Sequence, residues 1–331
     1  MLRTLLSQLD APVIVAPMFL VSSPALVLAV CAEGMIGSFP AHSTRTREDF
    51  RDWLIEIESG LEALRARTGS GPVAPFAVNL VTHATNPRME GDLELCIEHK
   101  VPVVLTSKGQ PTSAVERIHA YGGVVLHDVA NRRHAEKAIA AGVDGLIVVT
   151  QGAGGHTGTI NPFALMNEIR AIYDGPIALS GCIGTGSNVL AAQAMGANAA
   201  YIGTRFIASA ESIAPQAHKE MIVDAAATDI FFTSSVDGAP ANFLTQSLLN
   251  AGADLDVLRT TLPGKVVALS QANKRWKDIW SAGQGVGATA GIESATQIAR
   301  RIKAEYRAAV DDMRRRLAGI APSVGAGAPG Q

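Results

Sequence analysis

The sequence predicts an α/β protein built on a closed TIM (β/α)8 barrel, with a smaller, mainly helical subdomain. Three observations predict it. Short aliphatic runs alternate with amphipathic helical segments eight times in the first two thirds of the 331 residues. Those runs are apolar throughout, the pattern of parallel strands covered on both faces. No GxGxxG follows the first run, where an open dinucleotide-binding sheet would carry it.

The predicted strands are Val13–Ala16, Met35–Gly37, Phe76–Asn79, Val101–Leu105, Gly123–His127, Gly145–Val149, Ile177–Ser180 and Ala200–Ile202. Between them, helices are predicted over Ser22–Glu33, Arg47–Arg67, Thr112–Tyr121, Asn131–Ala141 and Ser187–Met195. Glycines 34, 122, 142 and 196 follow four of these helices, as a left-handed C-terminal cap requires. Residues 1–211 are read as the barrel. Residues 212–287 lose the strand–helix alternation and are read as a helical subdomain covering the active site. Residues 288–318 form a helix returning to the barrel, with Ile292–Leu317 as its amphipathic part, and residues 319–331 a flexible tail of small residues.

A formal net charge of -2 lacks the electrostatic footprint of a nucleic-acid binder. Cys31, Cys96 and Cys182 are an odd, widely spaced set without CxxC, which argues against disulfides or zinc and for a reducing compartment. No run reaches the length of a membrane span, and the N-terminus lacks the features of an export signal. The expectation is a soluble cytoplasmic protein without membrane, nucleic-acid or metal partners.

In such a barrel the chemistry sits where strands end and βα loops begin. The sixth strand is followed by QGAGGHTG, Gln151 to Gly158. Gly154 and Gly155 permit close backbone approach to a flat ligand, and His156 supplies an imidazole, a group that in general titrates near neutrality and suits proton transfer. His99, His119, His134 and His218 lie on helical patterns and are read as surface residues. SGCIGTGSN follows the seventh strand and IGTRF the eighth, the positions of phosphate sites in these barrels. Gly181 and Gly203 offer backbone N–H groups, and Ser180 and Thr204 hydroxyls. Two such loops on consecutive final strands point to a phosphate-bearing cofactor more strongly than either alone. Ala16, Pro17 and Met18 end the first strand and Asn79 the third, with Thr106 and Lys108 at the fourth and His127 and Asp128 at the fifth. Met18 taken alone is an ordinary core residue. Cys182 has no base to activate it and reads as structural. HExxH, GxSxG and P-loop motifs are absent from the sequence.

APM at the first strand, VNL at the third, GGHTG after the sixth, SGC after the seventh and GTRF after the eighth, in this order, resemble the nitronate monooxygenase family, once called 2-nitropropane dioxygenases. Flavin-dependent enoyl-acyl-carrier-protein reductases share the framework. WSAGQGVG, Trp280 to Gly287, is similar to the segment that returns to the family's active site. The resemblance implies FMN at the barrel mouth. Ser180, Gly181, Gly203 and Thr204 would hold its phosphate. Ala16, Pro17, Met18, Asn79, Thr106, Asp128, Gly154, Gly155 and Cys182 would line the cofactor, and Ser281 and Gln284 would lie near the ring or substrate. His156 would be the base in oxidation of alkyl nitronates or nitroalkanes by O2 to a carbonyl compound and nitrite. The alternative is an NAD(P)H-dependent FMN reductase acting on enoyl thioesters or quinones. A homodimer is compatible with either. Two departures stand out: Asp128 where many relatives carry Lys, and Cys182 in place of a second glycine.

Overall fold

The computed structural model describes residues 2–69, 71, 73–267, 269 and 277–319. Among these residues eleven strands follow in chain order: β1 Val13–Val15, β2 Gly37–Pro40, β3 Phe76–Val81, β4 Val103–Ser107, β5 Val124–Val129, β6 Gly145–Val149, β7 Gly155–His156, β8 Ile177–Ser180, β9 Ala199–Ile202, β10 Ile230–Thr233 and β11 Ala241–Leu244. Eight of them pair in parallel in the order β1-β9-β8-β6-β5-β4-β3-β2. The circle closes where Val15 N–H donates to Ile36 O at 2.8 Å and Ile36 N–H to Val13 O at 3.1 Å. The first-strand, fifth-strand and helix boundaries read from the sequence hold within a few residues. Glycines 34, 122, 142 and 196 all adopt positive φ, as their capping role demands.

Each barrel strand is buried on both faces, and its alternate residues enter different cores. Ile14, Ile36, Leu105, Leu126, Ile147 and Tyr201 fill the barrel lumen. Val13, Val15, Val104, Val125, Val148 and Leu179 face outward and pack under the helices. A helix over Leu2–Ser7, absent from the sequence reading, sends Leu2 and Leu6 into the lumen and plugs its lower end. Helices Met89–Glu98 and Pro162–Arg170 complete the outer ring between strands whose connection the sequence reading left unassigned.

Residues 212–287 depart from the expected picture in one respect. Helices Gln216–Asp224, Thr245–Asn250 and Leu255–Thr260 are present, but so is the antiparallel pair β10/β11. Phe231 and Phe243 from these strands pack with Leu248, Leu258 and Ile279 in a small core of their own. Strands of only four residues, each with a single polar residue, carry too little periodic signal to be separated from irregular chain. His218, expected at the surface, is only 5% exposed. Its ring stacks on Trp280 at 5.0 Å and burial pushes its pKa down to about 4. The helix carrying it buries one face under the chain that precedes the strand-end strap described below, a tertiary contact that helical spacing does not reveal.

The returning helix runs from Ala295 to Ala318. Ser294 caps it and accepts from Gln297 N–H. Ala295, Ile298, Ala299 and Ile302 are its buried stripe. Buried Arg205 pairs with Glu293 at 2.9 Å just ahead of it, and Lys303 Nζ reaches Glu33 at 2.8 Å. The helix approaches Gly186–Ala194 so closely that a Cβ on Gly186 would lie 2.1 Å from Tyr306 N and 2.4 Å from Ile302 O. The tail read as flexible lies, beyond Gly319, outside the described residues. Gly186→Ala must push two backbones apart, and it should cost roughly 1–3 kcal/mol. Thermal unfolding measures this directly; an unchanged midpoint would mean that the helix pair has slack.

Candidate functional site

Alternation along the strands decides what reaches the mouth. Counting two residues on from the lumen side chains of Ile14, Ala77, Leu105, Leu126 and Ala178 brings Ala16, Asn79, Ser107, Asp128 and Ser180 to the upper rim. Gly203 follows Tyr201 in the same way. Asn79 Nδ2 donates to Leu105 O at 3.2 Å and faces Ser107 Oγ at 3.4 Å. Thr106 is corrected by the same rule. It lies one step out of phase, fully buried, with Oγ1 donating to Leu126 O and 2.8 Å from His127 Nδ1. Ser107, which the sequence reading passed over, occupies the rim instead.

On the β8–β9 side the rim is built from backbone. Gly181 has φ +124, and a Cβ there would stand 2.2 Å from Thr150 Oγ1. Cys182 continues in the left-handed region at φ +59, a conformation that costs a non-glycine residue energy and is held by its surroundings. Its thiol is pushed up by burial, which suits the structural reading. A Cβ on Gly203 would sit 3.4 Å from Ala16 Cβ and 3.6 Å from the Met18 side chain. Pro17 lies half-buried between those two, and Met18 N–H donates to Ser22 Oγ at 3.0 Å. Among the described residues the N–H groups of Gly181, Gly203 and Thr204 have no carbonyl partner. The helix after Gly203 spans only Thr204–Ile207, so these N–H groups, and not an extended helix dipole, are what the rim offers an anion.

A strap over residues 282–284 locks this side. Gly283 N–H donates to Thr204 Oγ1 at 2.8 Å, which leaves the threonine hydroxyl proton to donate elsewhere. Gln284 N–H donates to Gly152 O at 3.0 Å, and Gln284 Oε1 lies 3.6 Å from Cys182 Sγ. A Cβ on Gly154 would stand 2.8 Å from Gly283 N and 3.2 Å from Thr204 Oγ1. The loops after β6, β8 and β9 and the strap therefore meet at contact distance. Among the described residues, Ser281 Oγ beside them is buried without a partner, and so is Asp128 Oδ1 within the lumen.

His156 hangs between the barrel and the subdomain. Gly155 and His156 form β7, which pairs antiparallel with β11. Asn242 fastens the preceding loop by donating to Gln151 O at 2.9 Å and Ala153 O at 2.7 Å. His156 Nε2 lies 2.7 Å from Asp237 Oδ2 and 3.5 Å from Lys108 Nζ. Burial alone would raise the Asp237 carboxyl. Hydrogen bonds from His156 and from Ala239 N–H, with the Lys108 charge, outweigh it and hold the group below the usual carboxylate range. Burial pushes the Lys108 amine down, and Asp237 opposes that. Lys108 also has φ +57, a second shaped residue at a strand end. Asp237 was not found from the sequence: Val236-Asp237-Gly238 reads as a turn, and the 81 residues separating it from His156 conceal the pairing.

The model of the family described as nitronate monooxygenase matches residues 2–305. The chain belongs to the nitronate monooxygenase family. A nitronate monooxygenase from Paraburkholderia phytofirmans is 27% identical over 289 residues, covering 74% of this chain and 76% of that one. The (3aS,4S,5R,7aS)-5-hydroxy-7a-methyl-1-oxo-octahydro-1H-indene-4-carboxyl-CoA dehydrogenase of Rhodococcus jostii is 28% identical over 253 residues, covering 76% and 68%. The solved structure of FabK from Thermotoga maritima superposes with a TM-score of 0.75 at 26% identity, covering 95% of this chain and 98% of that one.

As a member of the nitronate monooxygenase family the protein is a flavin-dependent oxidoreductase. The residues present fit a phosphate-bearing flavin: among the described residues, the N–H groups of Gly181, Gly203 and Thr204 and two buried polar atoms, at Asp128 and Ser281, have no partner. Gly203 separates cofactor binding from folding. Because its missing Cβ has 3.4 Å of room, Gly203→Ala should leave thermal stability unchanged. Gly203→Leu would fill the rim, and the purified protein should lose its flavin absorbance. Full flavin occupancy in the leucine variant would move the phosphate elsewhere.

Proposed function

We propose that the protein binds FMN at this rim and oxidises alkyl nitronates, or the nitroalkanes that give rise to them, with dioxygen, yielding a carbonyl compound and nitrite. The observation that carries the reading is the grouping of His156 with Asp237 at 2.7 Å and Lys108 at 3.5 Å beside the glycine-built rim. A nitronate is an anion with two oxygens, and it needs a cation. A nitroalkane needs a base for its α-carbon proton.

His156 takes that proton or orients a nitronate already formed. Asp237 accepts from Nε2–H, fixing the ring's orientation and tautomer, and it compensates the charge when the imidazole gains a proton. Lys108, partly stripped of water, pairs with the nitro oxygens, where a charge is worth more than it would be in bulk solvent. Gly181, Gly203, Ser180 and Thr204 hold the cofactor's phosphate, Asn79, Asp128 and Gln284 approach its ring or sugar chain, and Ala16, Pro17, Met18, Gly154, Gly155 and Cys182 shape the walls. The flavin, when bound, supplies the electron acceptor between substrate and dioxygen.

A second reading has specific support in the Rhodococcus relative, a dehydrogenase of a carboxyl-CoA thioester. In that reading the protein exchanges electrons between a thioester and a nicotinamide, with O2 playing no part. Anaerobic mixing separates the two. Rapid bleaching of the flavin by NADH or NADPH favours the thioester chemistry; bleaching by a nitronate alone, followed by oxygen uptake and nitrite release, favours the monooxygenase.

His156→Ala should lower nitroalkane turnover by roughly 10²–10⁴-fold with the flavin still bound. Wild-type turnover in that variant would remove the residue from the chemistry. Because the Asp237 carboxyl is held below its usual range, the contact with His156 is present at neutral pH and lost only as pH falls below about 4, the ordinary carboxylate value. In an Asp128→Asn variant, which lacks the buried carboxyl that is pushed up to about 7, near-ultraviolet circular dichroism should stay constant from pH 8 to 5. A change within that window would mean that the clasp is weaker than its geometry.

A further inference from the structure

We infer that Asp128 meets the bound cofactor as a neutral carboxylic acid and donates it a hydrogen bond. The inference rests on the flavin reading above and adds the protonation state of one wall residue to it. A carboxylate at this place would set a negative charge against an electron-accepting ring; a carboxylic acid supplies a donor instead.

The strand geometry comes first. Asp128 stands opposite Ile147 in the β5–β6 register and two residues above Leu126, and both of those side chains fill the lumen. Asp128 therefore points inward at the top layer of the barrel, on the ring of positions that includes Asn79 and Ser180. Oδ1 is sealed from solvent and has no hydrogen-bond partner among the described residues. A buried carboxyl oxygen left unpaired costs roughly 1–3 kcal/mol or more. Asp128 as a residue is only half-buried, so it keeps an open side at the strand end, and a ligand lying over the mouth meets the carboxyl there.

The surroundings favour the protonated form. From β9, Tyr201 is the titratable group that faces Asp128, and burial holds its phenol neutral. From β4, Ser107 is uncharged, and Lys108 beyond it interacts with Asp237 and His156. From β6 and β8, Val149 and Ser180 carry no charge. On β5 itself His127 points to the opposite face against Thr106, and burial keeps it neutral, with its pKa near 4. No cation offsets the burial of Asp128, which pushes its carboxyl up to about 7. A ring settling over the mouth removes further water and raises it again.

Binding that prefers the protonated acid must weaken as the acid ionises. The experiment titrates apoprotein with FMN between pH 7 and 8.5, following quenching of flavin fluorescence, for the wild type and for Asp128→Asn. Asparagine keeps a donor and cannot ionise. The wild type should lose roughly tenfold in affinity per pH unit, while Asp128→Asn holds a nearly constant Kd close to the wild-type value at pH 7. The FMN phosphate loses its last proton near pH 6; that acts on both proteins alike and cancels in the comparison. A wild-type affinity as flat as the variant's, with FMN bound, overturns the inference and leaves the cofactor reading intact. Failure of the wild type to bind FMN at any pH sinks the cofactor reading itself. If Asp128→Asn does not fold, the wild-type profile still decides: a flat Kd across the range is incompatible with a neutral donor.

Discussion

The site depends on backbone brought against backbone. Gly152, Gly154 and Gly283 approach so closely that a methyl group on any of them would fall within 3 Å of a neighbouring atom. This permits the loop after β6, the loop after β8 and the strap over residues 282–284 to share hydrogen bonds at Gly152 O and Thr204 Oγ1. With side chains in the way, the rim would widen, and the N–H groups of Gly181, Gly203 and Thr204 would no longer converge. The aliphatic barrel fixes where strands end; the glycines fix how near those ends come to one another.

Much of this architecture was legible in the sequence because it is local. Strand length, unbroken apolar character and a glycine after four of the helices are properties of short windows, and they placed the eight barrel strands within a few residues. The rim glycines were legible for the same reason, since each follows a strand directly. What escaped depends on phase or distance. Thr106 was assigned to the rim by its nearness to a strand end, but the pleat turns it outward and presents Ser107. The β10/β11 pair escaped because its strands are short and its partner is a two-residue segment 85 residues upstream. Asp237 escaped because its turn signal was read locally, whereas its function lies across the fold.

The strand-end loops also carry unusual backbone. Leu20, Lys108 and Cys182, which follow β1, β4 and β8, adopt positive φ without being glycine. Each such residue costs of order 1–3 kcal/mol, and the packing around it must supply that. For Lys108 the return is direction: the left-handed turn aims the amine at His156 and Asp237. For Cys182 it is the tight exit from β8 that keeps Gly181 beside Thr150.

The imidazole of His156 is held by two structures at once. Its chain emerges from the barrel, yet its backbone is the third strand of a sheet otherwise formed by residues 230–244, and its ring is gripped by the turn just ahead of β11. Changes of length or sequence in that appended segment thus reach the reacting group without touching a single barrel strand. Descent from a common ancestor could retune which molecules such a barrel accepts by editing the appendage alone, while the part that must close its circle of hydrogen bonds stays as it is.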